Sequence, residues 1–103
     1  METFDLDALS IHLLEERDKN VLSQTESFKV RLIRVEAGGE IPPCNMSTSV
    51  IFCVLQGNGV ITINAEPTQV KPHSLIVTNP ATISMKSEEG MRLLGIQITT
   101  KAS

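Results

Sequence analysis

Residues 38–57 read GGEIPPCNMSTSVIFCVLQG, and this stretch decides the fold. Turn-forming glycines stand at both ends, a Pro pair follows the first turn, and residues 49–56 are mostly apolar and β-branched. A short apolar run bounded by turn residues is typical of a strand buried on both faces. Gly57, Asn58 and Gly59 adopt positive φ easily, so we expect residues 60–64 to pair back across a tight hairpin.

Short strands separated by turns continue on both sides of this stretch. We predict further strands over residues 21–25, 28–36, 68–71, 74–78, 82–86 and 91–100. In residues 28–32 the even positions are apolar, whereas Lys29 and Arg31 are polar. The apolar phase flips at Ile33, which predicts a bulge. Many short strands with turn signals every 8–12 residues or so predict an all-β sandwich or barrel.

The N-terminal region carries the helical periodicity of the chain. In residues 7–17 the apolar side chains of Leu9 and Leu13 fall four positions apart, and Leu6 extends the same stripe. Asp7 is a candidate N-cap. We therefore expect a short helical segment of one or two turns before the first strand.

The bulk composition predicts one globular domain over residues 1–103, with an N-terminal segment at 1–19 and a barrel at 20–100. Hydrophobic residues make up 41% and charged residues 20% of the chain, which is ordinary for a folded domain. Aromatic residues make up only 3%, with no Trp or Tyr, which disfavours stacking platforms for bases. The net charge is −3 and the basic residues are dispersed, so we expect neither nucleic acid nor a membrane surface as partner.

The lack of a signal-peptide pattern and the spacing of the two cysteines predict a cytoplasmic protein. The N-terminus is acidic and lacks the layout of a signal peptide, and no apolar run approaches the roughly 20 residues that span a bilayer. Cys44 and Cys53 lie nine positions apart. Along one extended strand this is roughly 30 Å, far beyond the approximately 4.4–6.8 Å that a disulfide allows between Cα atoms. We expect both thiols to be free, as in a reducing compartment.

The order of turns resembles the cupin superfamily, especially its small single-domain members. The first cupin motif reads glycine, five residues, His-x-His, three or four residues, glutamate, six residues, glycine. Here Gly38 is followed by five residues, then Cys44-Asn45-Met46, three residues, Val50, six residues and Gly57. In the second motif, Pro72 and His73 stand in the place of the Gly-Asp turn. Ser84 takes the place of the last histidine.

This resemblance implies an all-β, cupin-type jelly-roll barrel with a pocket between two sheets. It also implies that the usual metal-ligand positions are substituted, at Cys44, Met46, Val50 and Ser84. Metal-dependent dioxygenase, isomerase or decarboxylase chemistry is therefore not carried over, and we expect no usual metal cofactor. These four residues are the candidates for lining a mostly apolar pocket.

Alternative uses of Cys44 and Met46 can be weighed from their chemistry. They share a face of one strand, and a thiolate with a thioether suits Cu(I), but a third donor is needed. Cys53 has the opposite parity and should point away. A nucleophilic Cys44 needs a nearby cation or histidine. His12 on the expected helix and His73 at a turn are not expected inside the barrel, so packing in an apolar pocket is the favoured interpretation.

Three functional hypotheses follow. The first is a non-catalytic, small-molecule binding or sensory module, and it leads. The second is an enzyme that uses an atypical soft metal, such as copper, or thiol chemistry at Cys44. The third is a structural or accessory domain that binds a protein partner. In each case we expect a homodimer, because small cupins commonly dimerise and because covering an exposed strand edge protects it.

Overall fold

The computed structural model describes residues 1–12 and 14–99. Within this part, a short 3₁₀ helix at Leu14–Asn20 precedes the strands. The strands are β1 (Val21–Gln24), β2 (Phe28–Val35), β3 (Gly39–Met46), β4 (Val50–Gly57), β5 (Gly59–Ile63), β6 (Glu66–Val70), β7 (Leu75–Thr78), β8 (Ala81–Ser87) and β9 (Met91–Ile98). The prediction of an all-β chain after a short N-terminal helical segment is confirmed. No helix of the described residues is long and apolar enough to cross a membrane.

The strands form two antiparallel sheets that enclose one core. Among the described residues, a five-stranded sheet has the order β1-β2-β9-β4-β7 and a four-stranded sheet has the order β3-β8-β5-β6. Alternate residues of each strand face the space between the sheets, as the pleat requires. The buried cluster there consists of Val35, Val50, Phe52, Val54, Ile61, Val70, Ala81, Ile83, Met85, Met91 and Leu93. This arrangement is a jelly roll.

The expected hairpin between β4 and β5 is wrong. Strand β4 pairs with β7 and β9, whereas β5 pairs with β6 and β8, so the chain changes sheets at Gly57–Gly59. Gly57 has φ of 78°, and a Cβ at this position would overlap the carbonyl oxygen of Gly90. Glycine is therefore needed for this crossover between sheets, and not for a hairpin.

The expected bulge in β2 is also wrong. Its pairing with β9 runs without a shift from Phe28 opposite Ile98 to Val35 opposite Met91. The flip of the apolar phase has a different cause: Lys29 and Arg31 face the space between the sheets. The alternate face of β2 is apolar because the N-terminal segment crosses it. There the Arg92 guanidinium donates hydrogen bonds to the carbonyls of Leu6 and Leu9, at 3.2 and 2.9 Å.

The predicted helix over residues 7–17 forms only in part, since the 3₁₀ helix begins at residue 14. Before it, the buried side chain of Asn20 binds the backbone of His12. The His12 N–H donates to Asn20 Oδ1 at 2.7 Å, and Asn20 Nδ2 donates to the His12 carbonyl at 3.1 Å. These bonds occupy the groups that a helix would pair internally. Asp5, and not Asp7, caps the first turn by accepting the Asp7 N–H at 3.1 Å. Leu13, the end of the predicted stripe, lies outside the described residues.

Candidate functional site

A cavity of about 500 Å³ opens between the two sheets, beside the N-terminal segment. Its walls come from β2, β4 and β9 on one side and from β3 and β8 on the other. The apolar part of the wall consists of Leu32, Ile33, Ile41, Pro42, Pro43, Met46, Phe52, Ile83 and Met85. The remaining lining residues are His12, Arg17, Asn20, Lys29, Arg31, Arg34, Cys44 and Gln97. A mainly apolar cavity with a few polar groups is the usual form of a small-molecule site.

A bulge in β3 determines how this strand faces the cavity. Ile41 pairs with Met85 and Cys44 pairs with Ile83, so Pro42 and Pro43 together stand opposite one residue of β8. The extra residue shifts the alternation, and Ile41 and Cys44 therefore face the same side. Neither proline has an N–H to lose from the ladder, which suits them to this irregular position.

The four residues selected from the sequence do not lie together. Cys44 and Met46 are in the cavity wall, opposite the inward-facing Ile83 and Ala81 of β8. Val50 is only 3% exposed and belongs to the core cluster, outside the cavity wall. Ser84 lies between the buried Ile83 and Met85, so its side chain is on the opposite face of β8 and turned away from the cavity.

The two cysteines are free. Cys44 is exposed at the cavity wall, whereas Cys53 pairs with Leu75 and Leu94 on the outer face of the five-stranded sheet. No group of three or more His, Cys, Asp or Glu side chains converges among the described residues. Cys44 and Met46 therefore have no third side chain of these types beside them in this part of the chain.

The placement of His12 contradicts the sequence-based expectation. The expected helix would have kept His12 outside the barrel, but Asn20 binds its backbone and His12 lines the cavity. Its Nδ1 lies 3.5 Å from Glu16 Oε2, and the other carboxylate oxygen, Glu16 Oε1, lies 3.6 Å from Lys19 Nζ. His73 is in a turn with φ of 73°, as expected.

Sequence reasoning missed the basic side chains of the cavity. Arg17, Lys29, Arg31 and Arg34 all line it, and no Asp or Glu is among the described lining residues. Lys29 and Arg31 share their parity with Ile33 and Val35, which pack inside. The other parity of β2 begins with Phe28, Val30 and Leu32, so the alternation alone does not identify the inner face.

Arg31 is the most enclosed of these cations. It lies opposite Gly95 in the β2–β9 ladder, and Gly95 in turn is opposite Phe52 of β4. Desolvation by burial lowers the pKa of Arg31, and the neighbouring Arg17 adds to this, while Cys44 and Asp18 act in the opposite direction. The side chain of Arg31 has no hydrogen bond or ion pair with any part of the chain that the structure describes. A guanidinium remains charged at neutral pH even so, because its intrinsic pKa exceeds about 12.

Comparison with solved structures identifies the class of this fold. The chain is similar to a cupin superfamily protein from Desulfitobacterium hafniense, with a TM-score of 0.71 and 17% identity over 78% of this chain and 74% of that one. It is also similar to a conserved protein of unknown function from Streptococcus pyogenes, with a TM-score of 0.71 and 20% identity over 80% and 73% of the two chains. The chain thus has a cupin-type fold.

An enzyme is among the similar structures as well. Salicylate 1,2-dioxygenase from Pseudaminobacter salicylatoxidans gives a TM-score of 0.68 at 23% identity, over 71% of this chain. The match covers 21% of the dioxygenase, so this chain corresponds to about a fifth of that enzyme. No protein-family model and no curated protein matches the chain. At these identities the similarity concerns the fold alone.

Proposed function

We propose that this chain is a cupin-type module that binds a small molecule in the cavity between its sheets, as a binding or sensory domain without the family's usual metal site. The observation that carries the proposal is the cavity itself. Its volume of about 500 Å³ falls within the approximately 300–1,000 Å³ of known ligand sites, and its wall combines an apolar surface with a few polar groups.

The arrangement of the four ligand-position residues supports a role without the usual metal. Of Cys44, Met46, Val50 and Ser84, only the two sulfur-bearing residues face the cavity. A thiolate and a thioether are ligands for soft metals such as Cu(I), so an enzyme with an atypical metal or with thiol chemistry at Cys44 is the second candidate. The position of Cys44 in the same cavity as Arg31 is the observation that favours this alternative.

Metal analysis separates these two candidates. We expect protein purified without chelator to contain far less than one equivalent of copper, iron, zinc or manganese. Stoichiometric metal that is lost in a Cys44→Ser variant would overturn the leading proposal in favour of the enzyme. A Cys53→Ser variant is the matched control, because Cys53 faces away from the cavity.

A thermal-shift screen of small metabolites then tests ligand binding at fixed protein concentration. A ligand at 100 times its Kd adds about 2.7 kcal/mol to the free energy of unfolding. In a domain of this size, each kcal/mol raises Tm by about 4–8 °C. A concentration-dependent rise, reduced when Met46→Trp fills the cavity, is the expected result. If a broad screen gives no rise for any compound, the third hypothesis, an accessory domain that uses no pocket, is favoured.

We also propose that the functional unit is a homodimer, formed through the outer face of the five-stranded sheet. Strand β7 is at the edge of this sheet, and its Leu75 and Val77 are 64% and 69% exposed. They continue an apolar surface, because Val77 pairs with Ile51 and Leu75 pairs with Cys53 on β4.

A second copy suits this surface better than another partner would. An edge strand carrying apolar side chains can pair with its own symmetry mate, since a two-fold axis brings the same patch of both subunits together. Light scattering on the purified protein should therefore give twice the mass of the chain. A monomer at micromolar concentration would contradict this proposal.

A further inference from the structure

The charges of the cavity are opposite to those of the chain as a whole. The chain has 9 Lys and Arg against 12 Asp and Glu, which makes it acidic overall. The cavity nevertheless collects Arg17, Lys29, Arg31 and Arg34, and its described lining includes no carboxylate. A concave, low-dielectric site lined by one sign of charge concentrates the field and attracts ligands of the opposite sign.

Two of these cations are not used by the fold. Arg34 Nη2 lies 3.7 Å from Glu36 Oε1, and the Arg34 side chain is exposed. The side chains of Lys29 and Arg31, in contrast, make no hydrogen bond or ion pair with the described residues. They are two positions apart on β2, so their side chains leave the same face of the sheet roughly 6–7 Å apart. Gln97 lies directly opposite Lys29 on β9 and also lines the cavity, which adds an amide donor to the same row.

The enclosure of Arg31 is difficult to explain by stability. Removing a cation from water costs free energy unless an anion or hydrogen-bond acceptors compensate it. Leu, Val or Thr at this position would fill the space beside Gly95 without that cost. Asp18 and Cys44 act on Arg31 only through their charges, and no acceptor among the described residues is hydrogen-bonded to its guanidinium. Such a guanidinium in a cavity wall is suited to a planar, bidentate contact with a carboxylate.

We propose that the ligand of this cavity is a small organic acid with an apolar body, an inference that rests on the proposed function. Arg31 binds its carboxylate with its guanidinium fork, and Lys29 and Gln97 donate to the same group. The apolar body lies against Met46, Phe52 and Ile83 on the other side of the cavity. A carboxylate is favoured over a phosphate for two reasons. The cavity wall is mainly apolar, and only a few side chains, those of Arg31, Lys29 and Gln97, donate hydrogen bonds to the anion.

Calorimetry with matched probes tests this inference. Benzoate and hexanoate are compared with benzamide and hexanamide, which have the same body without the charge, and with phenyl phosphate. We expect the acids to bind at least about tenfold more tightly than their amides, because a charge-assisted hydrogen bond is worth more than a neutral one. The affinity of the acids should fall as salt is added.

Two variants examine the role of Arg31 directly. Arg31→Gln should weaken binding of the acids about tenfold or more and leave binding of the amides unchanged. Lys71→Gln is the control, because it makes the same change in net charge at an exposed position outside the cavity. The Tm of ligand-free Arg31→Gln should equal or exceed that of the wild type. A lower Tm would assign Arg31 a structural role and overturn the proposal.

The remaining outcomes separate this inference from the function on which it rests. Equal binding of acids and amides, unaffected by Arg31→Gln, would overturn the organic-acid proposal and leave a small-molecule binding module. Binding of phenyl phosphate without binding of the acids would overturn the choice of a carboxylate. If neither these probes nor the broad metabolite screen binds, both the inference and the proposed function fail.

Discussion

The two faces of the five-stranded sheet each depart locally from a simple globular sheet, in opposite ways. The inner face carries Lys29, Arg31 and Gln97 at the cavity. On the outer face, the edge strand β7 carries the apolar residues Leu75 and Val77, which are largely exposed. Charge inside and exposed apolar surface outside both cost stability in an isolated chain. This comparison is the basis of the two proposals above, an inner surface for a ligand and an outer surface for a second copy.

Neighbouring residues of β4 provide the largest expected contrast between the two faces. Phe52 is 4% exposed and packs in the core, whereas Cys53 faces outward. Phe52→Ala should lower the free energy of unfolding by about 3–5 kcal/mol, since it leaves a void in the core. Cys53→Ala removes little volume and should cost less than about 1 kcal/mol. Urea denaturation monitored by circular dichroism measures both, and similar losses would mean that the faces are assigned incorrectly.

The exposed edge of the outer face gives the next contrast. Val77→Lys places a charge in the proposed interface, so we expect light scattering to change from the mass of a dimer to that of a monomer. Gln69→Lys is the control, because Gln69 is an exposed residue of β6, the edge strand of the other sheet. A dimer that persists in Val77→Lys but dissociates in Gln69→Lys would move the interface to the four-stranded sheet.

The contact that holds the N-terminal segment beside the cavity should have an intermediate effect. Asn20→Ala removes both hydrogen bonds to the His12 backbone and should cost about 1–3 kcal/mol, because these buried groups lose their partner. Hydrogen exchange at the His12 amide should become faster at the same time. Asn79→Ala, at an exposed turn, should change stability by less than about 0.5 kcal/mol. Unchanged exchange at His12 would show that the clamp does not hold this segment.

The smallest expected effect concerns the inner face. Lys29 is nearer the end of β2 than Arg31, and an ion pair in a partly solvated position is worth less than 1 kcal/mol or so. Lys29→Gln should therefore weaken benzoate binding by only about two- to fivefold in calorimetry. A loss larger than that of Arg31→Gln would make Lys29, and not Arg31, the principal anion contact.

The difference between β2 and β3 explains how much of the site could be predicted. In β3, spacing and parity predicted that Cys44 and Met46 share one face. The bulge at the Pro pair precedes both residues, so it does not change their relative orientation. In β2 both parities contain apolar residues, so the pattern could not identify the inner face. The usual rule that polar residues face solvent would also fail here, because Lys29 and Arg31 line a cavity.

Ser84 shows a related limit. Counting residues between turns locates a position along a strand, but an error of one residue in that count reverses the face that the position presents. Ser84 stands opposite the bulged prolines of β3, between two inward-facing residues of β8. The motif spacing therefore predicted the strand on which Ser84 lies, and the alternation of β8 determined which face its side chain occupies.

The sequence by itself determined the cupin-type, all-β fold and its order of strands and turns, since these depend on local features: glycines that allow positive φ, prolines, and apolar runs of strand length. The tertiary structure decided which face of β2 points inward and that Gly57 joins two sheets. It also decided that His12, Lys29 and Arg31 meet in one cavity. The physical reason is that a strand has two faces, and only packing against the N-terminal segment on one side and the opposite sheet on the other selects between them.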